Sequence, residues 1–144
     1  GSIAAGSISL TVDPSATAFQ LASGYAVAVA SNAKNGVTTA VSISGPLQGV
    51  AYGSGAQIAA EAGTFASPTS NTGKPTVNKW GVNVDGTSNT WAGPTTSGIT
   101  VTGLTTRGPT NSVNQTHVVG VNVDYTTPAD TYTTTIYYVF TPNF

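Results

Sequence analysis

From residue 131 to 141 the chain reads Thr-Tyr-Thr-Thr-Thr-Ile-Tyr-Tyr-Val-Phe-Thr, so that Tyr132, Thr134, Ile136, Tyr138 and Phe140 fall on every second position. Alternation of aromatic and β-branched residues with period two marks a strand with one buried face. The hydroxyls of Thr131, Thr133 and Thr135 occupy the other face, which calls for water there and therefore for antiparallel pairing. Residues 118–125 alternate in the same way, with Val119, Val121, Val123 and Tyr125 opposed to Gly120, Asn122 and Asp124. Pro128 and Asp130 supply a turn between the two runs. Residues 118–144 are therefore expected to form a β-hairpin with one face in a core.

The rest of the chain repeats this pattern in shorter pieces. Residues 25–30 place Tyr25, Val27 and Val29 inward. Asn35-Gly36 is a hairpin signal. Residues 37–44 follow, with Val37, Thr39, Val41 and Ile43 inward, and Gly45-Pro46 ends them. The Ala-rich residues 56–62 allow a short helical turn stopped by Gly63, with Ile58 and Phe65 as core plugs. Residues 66–79 read as a loop. Trp80, Val82 and Val84 share a strand face before the Asp85-Gly86 turn. Trp91 sits in a polar loop, residues 99–104 form a strand, and residues 107–115 form a loop. The sum is an all-β fold: an antiparallel β-sandwich, Ig-like or jelly-roll-like, of about eight strands. Residues 1–12 form an extended N-terminal strand, and residues 13–144 form the sandwich domain.

Composition narrows the function. Lys and Arg number 4 and Asp and Glu 5, only 6% of 144 residues, against an ordinary share of roughly 25%. These charges are scattered, so there is no basic stripe for nucleic acid and no polybasic patch for lipid. No apolar run approaches the roughly 18 residues of a membrane span. Cys and Met are absent, which excludes a disulfide framework and suits an exported protein exposed to oxidants. The chain opens at Gly1-Ser2-Ile3 without Met, which reads either as a processed mature form or as a Gly-Ser scar left by cloning.

Candidate chemistry is sparse. His117 is the only histidine and immediately precedes a strand, and none of the serines lies in a Gly-x-Ser-x-Gly elbow. Asp13, Asp85 and Asp130 sit at turns, Asp124 faces outward, and Glu61 has no assigned role. No His/Cys cluster or Asp-x-Asp-x-Asp loop points to a metal. No catalytic residue, cofactor or metal is assigned, and an enzyme is not expected. Trp91 is the candidate for an exposed aromatic that stacks on a sugar. Asn114-Gln115-Thr116 matches a glycosylation sequon with Asn114 as the acceptor.

Two stretches resemble a known kind of protein. The run from Ser31 through Asn32-Ala33-Lys34-Asn35 to Gly36 resembles the second hairpin of secreted bacterial and archaeal β-sandwich surface proteins. Pro128-Ala129-Asp130-Thr131-Tyr132-Thr133-Thr134-Thr135-Ile136 resembles the Pro-Ala-Gly-Thr-Tyr-Thr-Asp-Thr-Val ending of pilin-like, spore-coat-like and WxL-like subunits, with Asp130 in place of the usual Gly. The resemblance covers about half the chain and implies a surface, pilus or filament subunit at the cell exterior, without enzymatic activity. Some such proteins polymerise by donor-strand exchange, in which an extended segment completes a neighbour's open sheet.

The N-terminus has the alternation such a segment needs, with Ala4, Gly6, Ile8, Leu10 and Val12 on one face. The same residues would serve equally as the first strand of the chain's own sandwich. The expectation is a structural subunit whose partners are copies of itself, joined head to tail. The alternative is a cell-surface adhesin or carbohydrate-binding module that contacts glycans through Trp91.

Overall fold

The structure is a computed structural model and describes residues 2–12, 19–21, 25–83, 89–104 and 108–144. Strands account for the regular structure: β1 (Ser2–Val12), β2 (Phe19–Leu21), β3 (Tyr25–Ser31), β4 (Val37–Ile43), β5 (Leu47–Gly49) and β6 (Gly53–Ala60) come first. β7 (Thr69–Ser70), β8 (Lys79–Asn83), β9 (Thr90–Trp91), β10 (Ile99–Thr100), β11 (Gly108–Asn122) and β12 (Asp130–Pro142) complete the order. There is no helix among the described residues. The all-β expectation holds.

Ten strands form one sheet in the order β10-β4-β12-β5-β6-β8-β11-β2, with β1 added to β12 and β3 to β11, while β7 and β9 pair separately. The sheet is mixed rather than wholly antiparallel. β6 pairs antiparallel with β5 through Leu47–Ile58, and then its end, Ala59 and Ala60, runs parallel to Lys79 and Trp80 of β8. β6 thereby carries the chain from one half of the sheet to the other. Both halves feed one core, in which Val41, Leu47, Tyr132 and Ile136 join Trp80, Val82, Val119 and Val121.

Strand faces follow the alternation. In β4, Val37, Thr39, Val41 and Ile43 are buried, and in β12 Tyr132, Thr134, Ile136 and Tyr138 are buried. Pairing departs from expectation. β11 and β12 are not a hairpin: β11 pairs with β2, β3 and β8, whereas β12 pairs with β1, β4 and β5. The seven residues 123–129 between them exceed the usual hairpin loop of 2–5. Both strands also turn a buried face inward, so they meet through side chains, with His117 of β11 against Tyr138 of β12. The connection is an arch. The Asn35-Gly36 turn is likewise no hairpin. Gly36 adopts φ 80°, and the turn exchanges backbone bonds with the C-terminus, Asn35 N to Asn143 O at 2.9 Å and Asn143 N to Gly36 O at 2.8 Å.

Other expectations are corrected locally. Residues 53–60 are a strand, not a helical turn, because Ala56 and Ile58 face the core at period two. Residues expected as a loop before 116 belong to β11, and the strand expected over 99–104 is only two residues long. Tyr125 is 83% exposed, since β11 ends at Asn122. Asn122 is buried instead, its Nδ2 donating to Pro75 O at 2.9 Å, because the 71–78 loop covers that side of β11. Trp91 is 0% exposed and cannot serve as a surface stacking platform in this fold. Backbone bonds between Val82 and Ala92 draw it into the interior, beside the small Gly81. Val84, Asp85 and Gly86 lie outside the described residues.

Candidate functional site

The first and last strands of the chain meet in one long seam. β1 runs antiparallel to β12 from Ser2 opposite Val139 to Val12 opposite Asp130. Gly6, Ile8 and Leu10 stand opposite Ile136, Thr134 and Tyr132, the positions at which β12 turns its buried face inward. A register shift between Ala4 and Gly6 places Ala4 opposite Tyr137 and Ile3 opposite Tyr138. The alternating series is thus out of step at Ala4, as a one-residue bulge dictates. β4 and β5 hold the other edge of β12, so β1 is an added edge strand that, among the described residues, pairs with β12 alone.

The start of that lane is fixed by polar side chains. Asp130 accepts backbone N–H bonds from Ala51 (3.0 Å), Tyr52 (3.1 Å) and Thr131 (2.7 Å). The carboxylate fits because Gly49 has no side chain: a Cβ there would overlap it. Asp130 thereby ties the β5–β6 turn to the root of β12. Charge-assisted bonds of this kind are stronger than neutral ones. Asp130→Ala is therefore expected to lower stability by about 2 kcal/mol in urea denaturation, with Asp130→Asn intermediate. Next, Tyr132 donates its hydroxyl to Pro128 O at 2.8 Å, a tyrosine bonded back to the corner it follows. Burial raises its pKa.

The arch itself is clamped by Asn78, a non-glycine residue at φ 60°. Its Oδ1 accepts from Asp124 N at 3.2 Å and from Thr127 Oγ1 at 3.0 Å. Asp124 in turn accepts from the backbone and hydroxyl of Thr126, which holds its carboxyl below the usual range.

His117 joins the two halves of the sheet. Its ring is buried, 2.5 Å from the Tyr138 hydroxyl through Nδ1 and 3.0 Å from Gln115 Oε1 through Nε2. Gln115 Nε2 donates to Thr102 O at 2.7 Å, so its Oε1 faces the ring as an acceptor. The imidazole then carries its proton on Nε2, and Nδ1 accepts from Tyr138. Phe65 stacks on the ring at 5.9 Å between centroids. Burial pulls the His117 pKa down to about 4. A neutral, doubly bonded imidazole under an aromatic cover is a fastener between strands.

The remaining sequence candidates do not converge. Asn114 and Thr116 are exposed on β11, as a sequon requires, with Gln115 between them turned to His117. Glu61 is buried and accepts from Thr76 N at 2.5 Å. Among the described residues, no three His, Cys, Asp or Glu side chains cluster as metal ligands, and no helix is long and apolar enough to cross a membrane. Asp13 and Arg107 lie outside the described residues. The role of Asp130 was legible in the sequence only as a turn signal, and Asn78 only as part of the loop 66–79. Compared with family models, with curated proteins and with solved structures, the chain matches none.

Proposed function

We propose that this chain is a structural subunit of an extracellular filament or pilus, a β-sandwich that polymerises by giving its N-terminal strand to a neighbour. The sheet halves joined by β6 are its two layers. One observation supports the reading above the others: among the described residues, β1 is an edge strand whose ladder lies on β12 alone. An element held by a single lane can leave it without breaking any other strand pairing. A second copy's residues 2–12 offer the same lane the same register, so exchange conserves every contact and is driven by concentration. The single chain shows the strand in its own lane, as a subunit free of neighbours would hold it. The low charge of the sequence leaves little repulsion between copies.

Deletion of residues 1–10 is expected to leave monomers that no longer assemble, by electron microscopy and light scattering. A synthetic peptide of residues 1–12 should bind the truncated protein and restore its thermal stability. Filaments that persist without residues 1–10 would contradict the reading.

A further inference from the structure

In the exchanged assembly, we infer that neighbouring copies meet at the arch end of the molecule, where the exposed apolar side chains of Val50, Tyr52, Val77 and Tyr125 form the contact with a second copy. This deepens the proposed function and rests on strand exchange.

The argument is one of chain length. β1 leaves its lane at Val12, opposite Asp130, and the chain re-enters the sheet at Phe19, opposite Asn122. Asp130 begins β12 and Asn122 ends β11, so both points lie at the end of the molecule closed by the arch. Seven Cα steps separate Val12 from Phe19, a reach of about 25 Å at most. From Asp130 to Pro142, β12 spans twelve steps, about 40 Å. The connection is too short to run the length of the sheet. A body that lends its strand must therefore sit with its arch end beside the arch end of the copy that receives it.

That end carries uncovered apolar surface. Val50, Tyr52, Val77 and Tyr125 are each at least half exposed. They ride on loops bonded into one unit. Val50 N donates to Thr131 O, Ala51 N and Tyr52 N donate to Asp130, and Asn78, next to Val77, bonds the arch residues on either side of Tyr125. Asp124 and Asp130, the acidic side chains on the arch and at the root of β12, are spent on local N–H groups. Exposed aromatics on a rigid frame suit a protein contact. The filament axis then passes the arch ends, and the bodies point outward with Phe144, on the opposite end, in solvent.

Photoreactive benzoylphenylalanine in place of Tyr125, and separately of Phe144, tests this in assembled material. Crosslinking between copies is expected at position 125 and at least ten-fold weaker at position 144. Val77→Lys and Tyr125→Lys should raise the critical concentration for assembly at least ten-fold while leaving the urea midpoint unchanged, and Phe144→Lys should alter it less than two-fold. Exchange of β1 is read in parallel, as a disulfide between copies carrying Ser9→Cys and copies carrying Thr133→Cys. That disulfide without a crosslink at 125 overturns the arch contact and leaves strand exchange standing. Loss of both overturns the two together.

Discussion

Replacing Gly93 with alanine is expected to abolish cooperative folding. A Cβ at that position would overlap the carbonyl oxygen of Glu61 and lie 2.6 Å from its carbonyl carbon and 2.9 Å from its nitrogen. These are backbone atoms, and they have nowhere to go. Glu61 N donates to Trp80 O at 2.8 Å, the Glu61 carboxylate holds Thr76 N, and Gly93 N itself donates to Gly63 O at 2.8 Å. Gly81 closes the same crossing, since a side chain there would meet Trp91 Cβ at 3.0 Å. Relief requires the separation of segments that carry Trp80 and Trp91, both without exposed surface. The cost is about 4 kcal/mol or more, at the upper end of overpacking effects. Gly45→Ala is the control: nothing lies within 4 Å of its added Cβ, and the urea midpoint should move by no more than ~0.5 kcal/mol equivalent.

The second large effect is set by pH. His117 titrates at 6.5 in an unfolded chain and at about 4 in the fold. Between these values the unfolded state binds a proton that the native state refuses. Stability is therefore full above pH 6.5 and declines as the pH falls toward 4. The loss amounts to about 3 kcal/mol. Structurally, a proton on Nδ1 puts a second donor against the Tyr138 hydroxyl at 2.5 Å, inside a shell closed by Phe65. Urea titrations at pH 7 and pH 4.5 should show the loss in the wild type and a nearly flat response in His117→Gln. A wild-type profile as flat as that of the variant would mean that the ring is not held neutral.

Faces of strands were legible in the sequence; partners were not. Val37, Thr39, Val41 and Ile43, and Tyr132 through Tyr138, are buried where period two puts them. Alternation says which side of a strand is dry, but not whether the next strand lies beside it or across from it. The same pattern in 118–125 and 131–140 therefore suggested a hairpin where the chain forms an arch. Trp91 was misread because its neighbours in sequence are polar, while its neighbours in space include Gly81, ten residues back in the chain and outside any local signal. Ala56 and Ala60 were ambiguous because alanine suits either period. Asp130 announced a turn, yet its hold on residues 51 and 52 depends on a fold that brings them together. The N-terminal residues could be read as an alternating strand, but neither its pairing with β12 nor the register shift after Ala4 was legible.

Strand exchange between copies is the claim on which the functional account depends, and the absence of native cysteine allows a direct measurement. Ser9 stands opposite Thr133, within the separation a disulfide spans. Copies bearing Ser9→Cys alone are mixed with copies bearing Thr133→Cys alone, assembled, oxidised and analysed by mass spectrometry. The account predicts a disulfide joining the two kinds of copy. Its absence, while a chain carrying both cysteines closes the bond within itself, would contradict the account.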